Sequence, residues 1–374
     1  MRVKIFNSNW RKLSRFSRIV AYLTLLSNIL LILSYFNYLI PPSNFWGYAV
    51  LGLGYPFILL VNILFFIYWL LRKELFFLYT LIVLISGYYH HSRYIQLSPV
   101  KVSLNQQNQL KVMSYNVRLF DLYNWTENKK TRNQIIDQIK EVNPDVVCFQ
   151  EYYFTSSNSF KTRELIVKEL KLNYFYENFS HESKGDSKFG IATFSKYPII
   201  ESNAISFDND QSNQCIWTDL MVNQDTIRIF NAHMGSIRFN YSDYKLLGGK
   251  GSPLWPHQKK PAQQIINRLK IGFSKREQQL KQLLPVLKKS PYKTILCSDI
   301  NDTPLSYAYH QLDKYFTDAF TQSANGIGGT YIGYIPGLRI DYIWHSKELS
   351  SGNFITHREK LSDHKAISAS IFFP

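Results

Sequence analysis

Charge is what the first quarter of this chain lacks. No Asp, Glu, Lys or Arg occurs between Arg18 and Arg72, and residues 1–100 contain a single acid, Glu74. A stretch of that length with no polar face excludes the helices of a soluble domain. Cysteine is scarce as well: Cys148, Cys215 and Cys297 are the only three in 374 residues, with no C-x-x-C pair and no His at zinc spacing. All three lie in apolar, strand-like runs and read as small buried hydrophobes. No internal repeat is apparent after residue 110.

Hydrocarbon fills the charge-poor region. IVAYLTLLSNILLILSYFNYLI (19–40) and GYAVLGLGYPFILLVNILFFIYWLL (47–71) are each long enough to cross a bilayer, which takes ~20 apolar residues. Pro41-Pro42-Ser43-Asn44 separates them, and LFFLYTLIVLISGYY (75–89) is a third, shorter candidate. A cleaved signal peptide fits poorly, because apolar spans follow the first and no small-residue cleavage site is evident. Six basic residues precede position 19 and two more, Arg72 and Lys73, sit in the second loop, while the 41–46 loop has none. That distribution places the N-terminus in the cytoplasm. Two crossings would leave the rest of the chain inside and three outside; the charge-free, aromatic-flanked 75–89 run favours three. The expected organisation is a membrane anchor over 1–93, a polar linker over 94–109 and a folded domain over 110–374, held outside the cytoplasmic membrane.

Nine Lys/Arg and Glu74 give the first hundred residues a net +8, half of the chain's +16. The other half, spread over the large domain, suits a polyanionic partner without establishing one.

From Leu110 short apolar runs alternate with amphipathic stretches. Strands are expected at 110–120, 145–151, 189–195, 214–222, 226–234, 293–299, 338–346 and 366–373. TRNQIIDQIKEV (131–142) puts Ile135, Ile136, Ile139 and Val142 on one helical face, with Thr131 as N-cap and Asn143-Pro144 as the stop. Further helices are expected at 160–170 and 275–289. Strands outnumber helices, which predicts two packed sheets flanked by helices rather than a doubly wound parallel sheet.

Polar residues stand at the ends of these strands. Asn116 follows Val112-Met113, Gln150-Glu151 follow Val146–Phe149, His233 follows Ile227–Phe230, and Asp299 and Asn301 follow Ile295–Cys297. Asp341 lies beside Ile340, and Ser362-Asp363-His364 precedes the last strand. Any one of these is ordinarily a turn residue or a hydrogen-bonded His. Within ILCSDINDTP (295–304), Asp302-Thr303-Pro304 keeps that plain reading as a chain reversal. So many placements in this order are hard to explain that way.

The motifs SYNVRLF (114–120), CFQEY (148–152), Asn231-Ala232-His233, SDINDTP (298–304), RIDYIWHS (339–346) and LSDHKAI (361–367) together resemble the endonuclease/exonuclease/phosphatase superfamily. They cover essentially all of 110–374 and none of the anchor. The resemblance implies a four-layer α/β sandwich, dependence on Mg2+ (with Mn2+ as a substitute) and hydrolysis of phosphate esters. By motif match, Glu151 is the main metal ligand, with Asn116 beside it and Asp363 contributing. Asp299 orients and deprotonates the attacking water, and Asn301 fixes Asp299 or a phosphate oxygen. His364, held and kept protonated by Asp341, faces the phosphoryl oxygen, and His233 matches a phosphate-contacting His. One departure stands out: Ser298 replaces the usual Gly before Asp299, which predicts a slight shift of that loop. The basic, Gly/Pro-rich 235–274 segment reads equally as a substrate-side loop or an ornament.

These features point first to a membrane-anchored nuclease, with nucleic acid as substrate and the lipid bilayer as the anchor's partner. A lipid-headgroup phosphodiesterase or phosphatase acting on phospholipid is the alternative, and an inert membrane scaffold the third. Nothing in the sequence points to oligomerisation.

Overall fold

The computed structural model describes Trp10 and residues 13–97, 108–156, 160–183, 186–208, 210–237 and 259–373, without 334 and 336. Most of the 235–274 segment, at 238–258, therefore lies outside the described residues.

Helices α1 (Arg15–Tyr35), α2 (Pro42–Leu71) and α3 (Phe76–Ser86) form an antiparallel bundle, followed by a short α4 (Tyr88–Ser92) and β1 (Ile95–Gln96). Two are long and apolar enough to cross a membrane; α3 is shorter, at 11 residues. Helix α2 is kinked at Phe45, whose φ of −152° leaves the helical region, so its straight part begins close to the expected 47. Polar side chains line the bundle's interior. Asn62 Nδ2 donates to Ser27 Oγ at 2.8 Å, Trp69 Nε1 to Thr24 Oγ1 at 2.9 Å, and Asn28 Nδ2 to Thr80 Oγ1 at 3.4 Å. Leu23, Leu26, Leu60, Leu64, Ile82 and Ile85 face outward and are exposed.

The domain that follows runs β2 (Gln109–Asn116), α5 (Thr131–Val142), β3 (Val146–Thr155), α6 (Thr162–Leu170), β4 (Tyr174–Ser183), β5 (Ser187–Ser195), β6 (Ile199–Phe207), β7 (Asp210–Val222) and β8 (Asp225–His233). It continues with α7 (Lys259–Lys288), β9 (Lys293–Asp299), α8 (Tyr307–Asp313), β10 (Phe316–Asp318), α9 (Ala319–Ser323), β11 (Gly326–Ile327), β12 (Asp341–Ser346), β13 (Ser350–Thr356) and β14 (Ile367–Phe372). Two six-stranded mixed sheets result, ordered β13-β14-β2-β3-β5-β4 and β10-β12-β9-β8-β7-β6. Each contains one parallel pair, β2 with β3 across α5 and β8 with β9 across α7. Parallel neighbours need such a crossover connection, and a helix supplies it.

The inner faces of the sheets meet in an apolar layer that includes Val112, Cys148, Ile229, Cys297, Ile343 and Ile367. Helices α5 and α6 cover the outer face of one sheet through Ile135, Ile139 and Ile166. Helix α7 covers the other through Leu280, Leu283 and Leu287. The architecture is thus the expected four layers. All three cysteines are buried and free. Thr131 begins α5 rather than capping it; Lys130 occupies the cap position and the Thr131 hydroxyl donates to Asn128 O at 2.6 Å. Asn143 closes that helix in the left-handed region, at φ 48°, ahead of Pro144. Within 94–109, Ile95 and Gln96 pair with Ile327 and Gly326, so the described start of that stretch is tied to the domain.

Candidate active site

The parallel-paired strands β2, β8 and β9 end at one edge of the sandwich, where they meet the middle of β3. Asn116 and Gln150 are register partners across β2 and β3. On the facing sheet, Asp299 has His233 as its partner on one side and Asp341 on the other. A single rung thus delivers three of the expected residues. Glu151 arrives by a different device. Between Phe149 and Tyr152 the β3–β5 register shifts, and Glu151 has φ 48°. This is a β-bulge with a non-glycine residue in the left-handed region, a geometry that turns a side chain off its regular sheet face. Strained backbone of this kind persists where the surroundings over-determine it, as at functional sites.

The side chains converge. Asn116 Nδ2 donates to Asp299 Oδ2 at 3.0 Å and to Glu151 Oε1 at 3.3 Å. His364 Nδ1 lies 2.9 and 3.0 Å from the two Asp341 oxygens, and its Nε2 lies 3.8 Å from Asp299 Oδ2. His233 Nε2 lies 3.7 Å from Asp299 Oδ2 and 3.9 Å from Glu151 Oε1. Asn301, in the left-handed region at φ 52°, donates its backbone N–H to Asp299 Oδ1 at 2.9 Å, and its amide donates to Met234 O at 2.9 Å. Asp363 meets Arg118 at 3.6 Å, and that guanidinium lies over the Trp125 ring.

Protonation follows from these neighbours. Burial pushes the Asp299 carboxyl up to about 6, against the pull of His364. Burial likewise raises Glu151, and the Asp363 charge adds to it. Burial disfavours a charge on His364, but Asp341 and Asp299 outweigh it and hold the ring's pKa well above the ordinary histidine value. On His233 burial prevails over Asp299 and lowers the pKa. Two imidazoles in one cleft are therefore pushed apart, one towards the cation and one towards the neutral form.

The cleft fits a divalent cation. Glu151 and Asp363 are carboxylates whose proximity raises Glu151, and the Glu151 side chain is 36% exposed. The Asn116 amide turns its N–H to both carboxylates while its oxygen accepts from Arg118 N at 3.1 Å, so it would offer that oxygen to a cation only with the amide turned over. His233 Nε2 is buried without a hydrogen-bond partner and points into the same gap. Carboxylate and amide oxygens are the donors Mg2+ takes. Asp299, Asp341 and His364 also place ligand atoms within 4.8 Å of one another. In that group the His364 nitrogen is already committed to Asp341, which makes it an oriented His–Asp pair.

All eight residues expected from the sequence, Asn116, Glu151, His233, Asp299, Asn301, Asp341, Asp363 and His364, lie in this one cleft. Several further residues support these side chains. Thr330 Oγ1 accepts from the N–H groups of Ile340 and Asp341 at 3.1 and 3.2 Å, while Thr330 O accepts from Lys365 N at 2.8 Å. It thereby ties the Asp341 strand to the His364 loop. The Tyr331 ring stands edge-on to His364 at 5.3 Å. Asn231 bridges the sheets, accepting from Gln150 Nε2 at 2.8 Å and donating to Phe149 O and Ala192 O. Asp302 is a buried ion pair with Arg276 at 3.0 Å, more than a turn residue. Ser298 keeps regular register with Ala232 and Tyr342.

Comparison with known proteins bears on the fold and the family. The crystal structure of an endonuclease/exonuclease/phosphatase from Beutenbergia cavernae DSM 12333 matches with a TM-score of 0.51 at 14% identity, covering 71% of this chain and 72% of that one. The human Nocturnin catalytic domain with bound sulfate anion matches at 0.49 and 16% identity, over 71% of this chain and 95% of its own. D. rerio TDP2 complexed with single strand DNA product matches at 0.48 and 16%, over 70% and 98%. At these identities the likeness is one of fold. None of the curated proteins matches. Residues 17–94 match a family described as a domain of unknown function. Residues 113–364, which contain every residue of the cleft, match the Endonuclease/Exonuclease/phosphatase family, and the chain belongs to that family.

Proposed function

We propose that this protein is a membrane-anchored, Mg2+-dependent phosphodiester hydrolase whose first substrate class is nucleic acid. Members of its family hydrolyse phosphoesters and generally use a divalent metal. The observation that carries the reading is His233 Nε2, buried without a partner and aimed between Glu151 and Asp299, 3.9 and 3.7 Å away. A polar atom left unpaired at that depth is costly unless a ligand completes it.

Phosphodiesters resist attack because the phosphoryl group is already anionic. Mg2+ held by Glu151, Asn116 and Asp363 would neutralise that charge. Asp299, with a carboxyl near neutrality, accepts the proton of the attacking water, while Asn116 and the Asn301 N–H hold it in place. His364, kept cationic by Asp341, donates to a phosphoryl oxygen as charge builds there. Neutral His233 offers its ring N–H to a second oxygen. The basic domain favours polyanionic substrates.

The bundle supports anchoring, because its polar side chains point inward and its Leu and Ile side chains outward. Helix α1, at 21 residues, is about 31 Å long, which matches a hydrocarbon core of about 30 Å. Ser17 near the start of α1 meets Tyr68 near the end of α2, while Tyr35 at the end of α1 donates to Val83 O in α3. Arg15, Arg18, Arg72 and Lys73 therefore share one end, and the folded domain docks at the other. In this reading the basic end faces the cytoplasm and the domain lies outside, with α3 and α4 together, residues 76–92, as the third crossing.

The test is a panel of single- and double-stranded DNA and RNA, phospholipid vesicles and small phosphate esters, offered to the full chain with Mg2+ or chelator. Metal-dependent cleavage of nucleic acid is expected. Release of phosphorylated headgroup instead would establish the lipid reading, which the close contact of anchor and site loop favours as second. No turnover of any member would overturn both.

A further inference from the structure

The turn that follows the catalytic strand is buried beneath the helical bundle. Thr303 Oγ1 donates to Gly52 O of α2 at 2.9 Å. Asn37, in the turn after α1, donates through Nδ2 to Leu305 O at 2.9 Å. Leu305 is 1% exposed and packs among Leu31, Tyr35, Tyr55, Val83 and Tyr94 of the bundle and its exit. The approach is close enough to require glycine: a Cβ on Gly52 would stand 2.2 Å from Asn37 Nδ2 and 3.4 Å from Leu305 O. Past α4, Arg93 reaches Pro304 O at 3.4 Å and pairs with Asp313 at 2.6 Å. Further along, the Ser43 backbone N–H and hydroxyl both donate to Glu277 of α7, at 2.7 and 2.8 Å.

Only Ile300, Asn301 and Asp302 separate this plug from Asp299. Asn301 holds the Asp299 carboxylate through its backbone N–H, and Asp302 is fastened to Arg276 on the far side. The backbone at Asn301 is left-handed, a conformation asparagine adopts readily, and the placement of that turn is set by its two flanks. One flank is the β9 ladder. The other is Thr303–Leu305, whose hydroxyl, carbonyl and side chain find partners in the bundle.

We propose that the helical bundle is a positioning element of the catalytic centre as well as an anchor. By seating Thr303, Pro304 and Leu305 it fixes the Asn301 turn and, through it, the Asp299 carboxylate, so turnover depends on how the bundle packs. This rests on the hydrolase reading. Asn37 and Gly52 are positioning residues that never touch substrate.

The experiment uses the full chain in lipid nanodiscs, with bis(p-nitrophenyl) phosphate as probe and Mg2+ present. Gly52→Ala forces Asn37 Nδ2 off its bond to Leu305 O, whereas Gly54→Ala, two residues on, meets only Ile58 Cδ1 at 3.8 Å. Small displacements of a catalytic group cost about tenfold to a hundredfold in rate. Gly52→Ala is expected to lower kcat at least about tenfold with KM little changed, and to speed amide exchange across 300–306, while Gly54→Ala alters neither. Thr303→Val, which removes only the hydroxyl bond, is expected to shift both readouts in the same direction and serves if Gly52→Ala does not fold. Unchanged kcat, or a loss of kcat with unchanged exchange over 300–306, would overturn the proposal. If the wild type hydrolyses nothing, the hydrolase reading falls, and exchange alone then decides whether the bundle holds the loop.

Discussion

The two halves of this molecule solve burial in opposite ways. In the sandwich, apolar side chains such as Val112, Ile229 and Ile343 fill the interior, and the polar residues that do not serve the fold collect at one edge. In the bundle, Thr24, Ser27, Asn28 and Asn62 are buried while Leu and Ile face outward. The same rule produces both patterns when one half meets water and the other lipid, where small and polar residues hold helices together. The difference also separates roles. Buried polar groups in the bundle donate to one another, whereas in the cleft carboxylates and imidazoles face each other within 4 Å, His233 at 3.7 Å and His364 at 3.8 Å from Asp299. Substitutions should follow that divide: the cleft should lose chemistry and keep stability, and the bundle, away from the Asn37–Gly52 contact with the site turn, the reverse.

The sharpest break in the comparison is Asp299→Asn. It should lower kcat by about 10³-fold or more, with a thermal midpoint close to wild type, because a buried carboxylate is removed while one of its two donors, Asn116 Nδ2 or the Asn301 N–H, keeps an acceptor. A midpoint well below wild type would make Asp299 a structural residue. Next comes the His–Asp pair. His364→Ala should cost about 10²-fold or more in kcat, and adding Asp341→Asn to it should cost little further, since the two act as one unit. Additive losses would show that Asp341 acts separately. A smaller effect is expected at the cation: Glu151→Gln should raise the Mg2+ concentration for half-maximal rate at least about tenfold, read from a metal titration. The smallest lies in the bundle. Trp69→Phe deletes the bond to Thr24 and should cost about 0.5–2 kcal/mol of unfolding stability in lipid while activity stays level.

Much of the site was legible because its residues are strand ends, and strand ends follow from hydrophobic pattern. Asn116, His233 and Asp299 close apolar runs, and the register of β2, β8 and β9 sets them side by side without further instruction. Glu151 could be named but its route could not, since a bulge depends on how β3 pairs with β5, and pairing is long-range. The edge strands β4, β6 and β13 escaped for a related reason: their partly exposed, polar faces give no apolar run. Asp302-Thr303-Pro304 looked like a turn because its reasons for burial lie far off, at Arg276 and at Gly52. Thr330 was invisible in the sequence, since a single hydroxyl that joins two loops has no local signature.

Phosphodiester hydrolysis at the cleft around Asp299 is the proposal on which the others depend. The most direct measurement is turnover of a defined oligonucleotide by the full chain beside Asp299→Asn, each with Mg2+ and with chelator. Cleavage by the wild type with Mg2+ alone, abolished by chelator and lost in Asp299→Asn, is expected. Equal cleavage by the wild type and Asp299→Asn would contradict it.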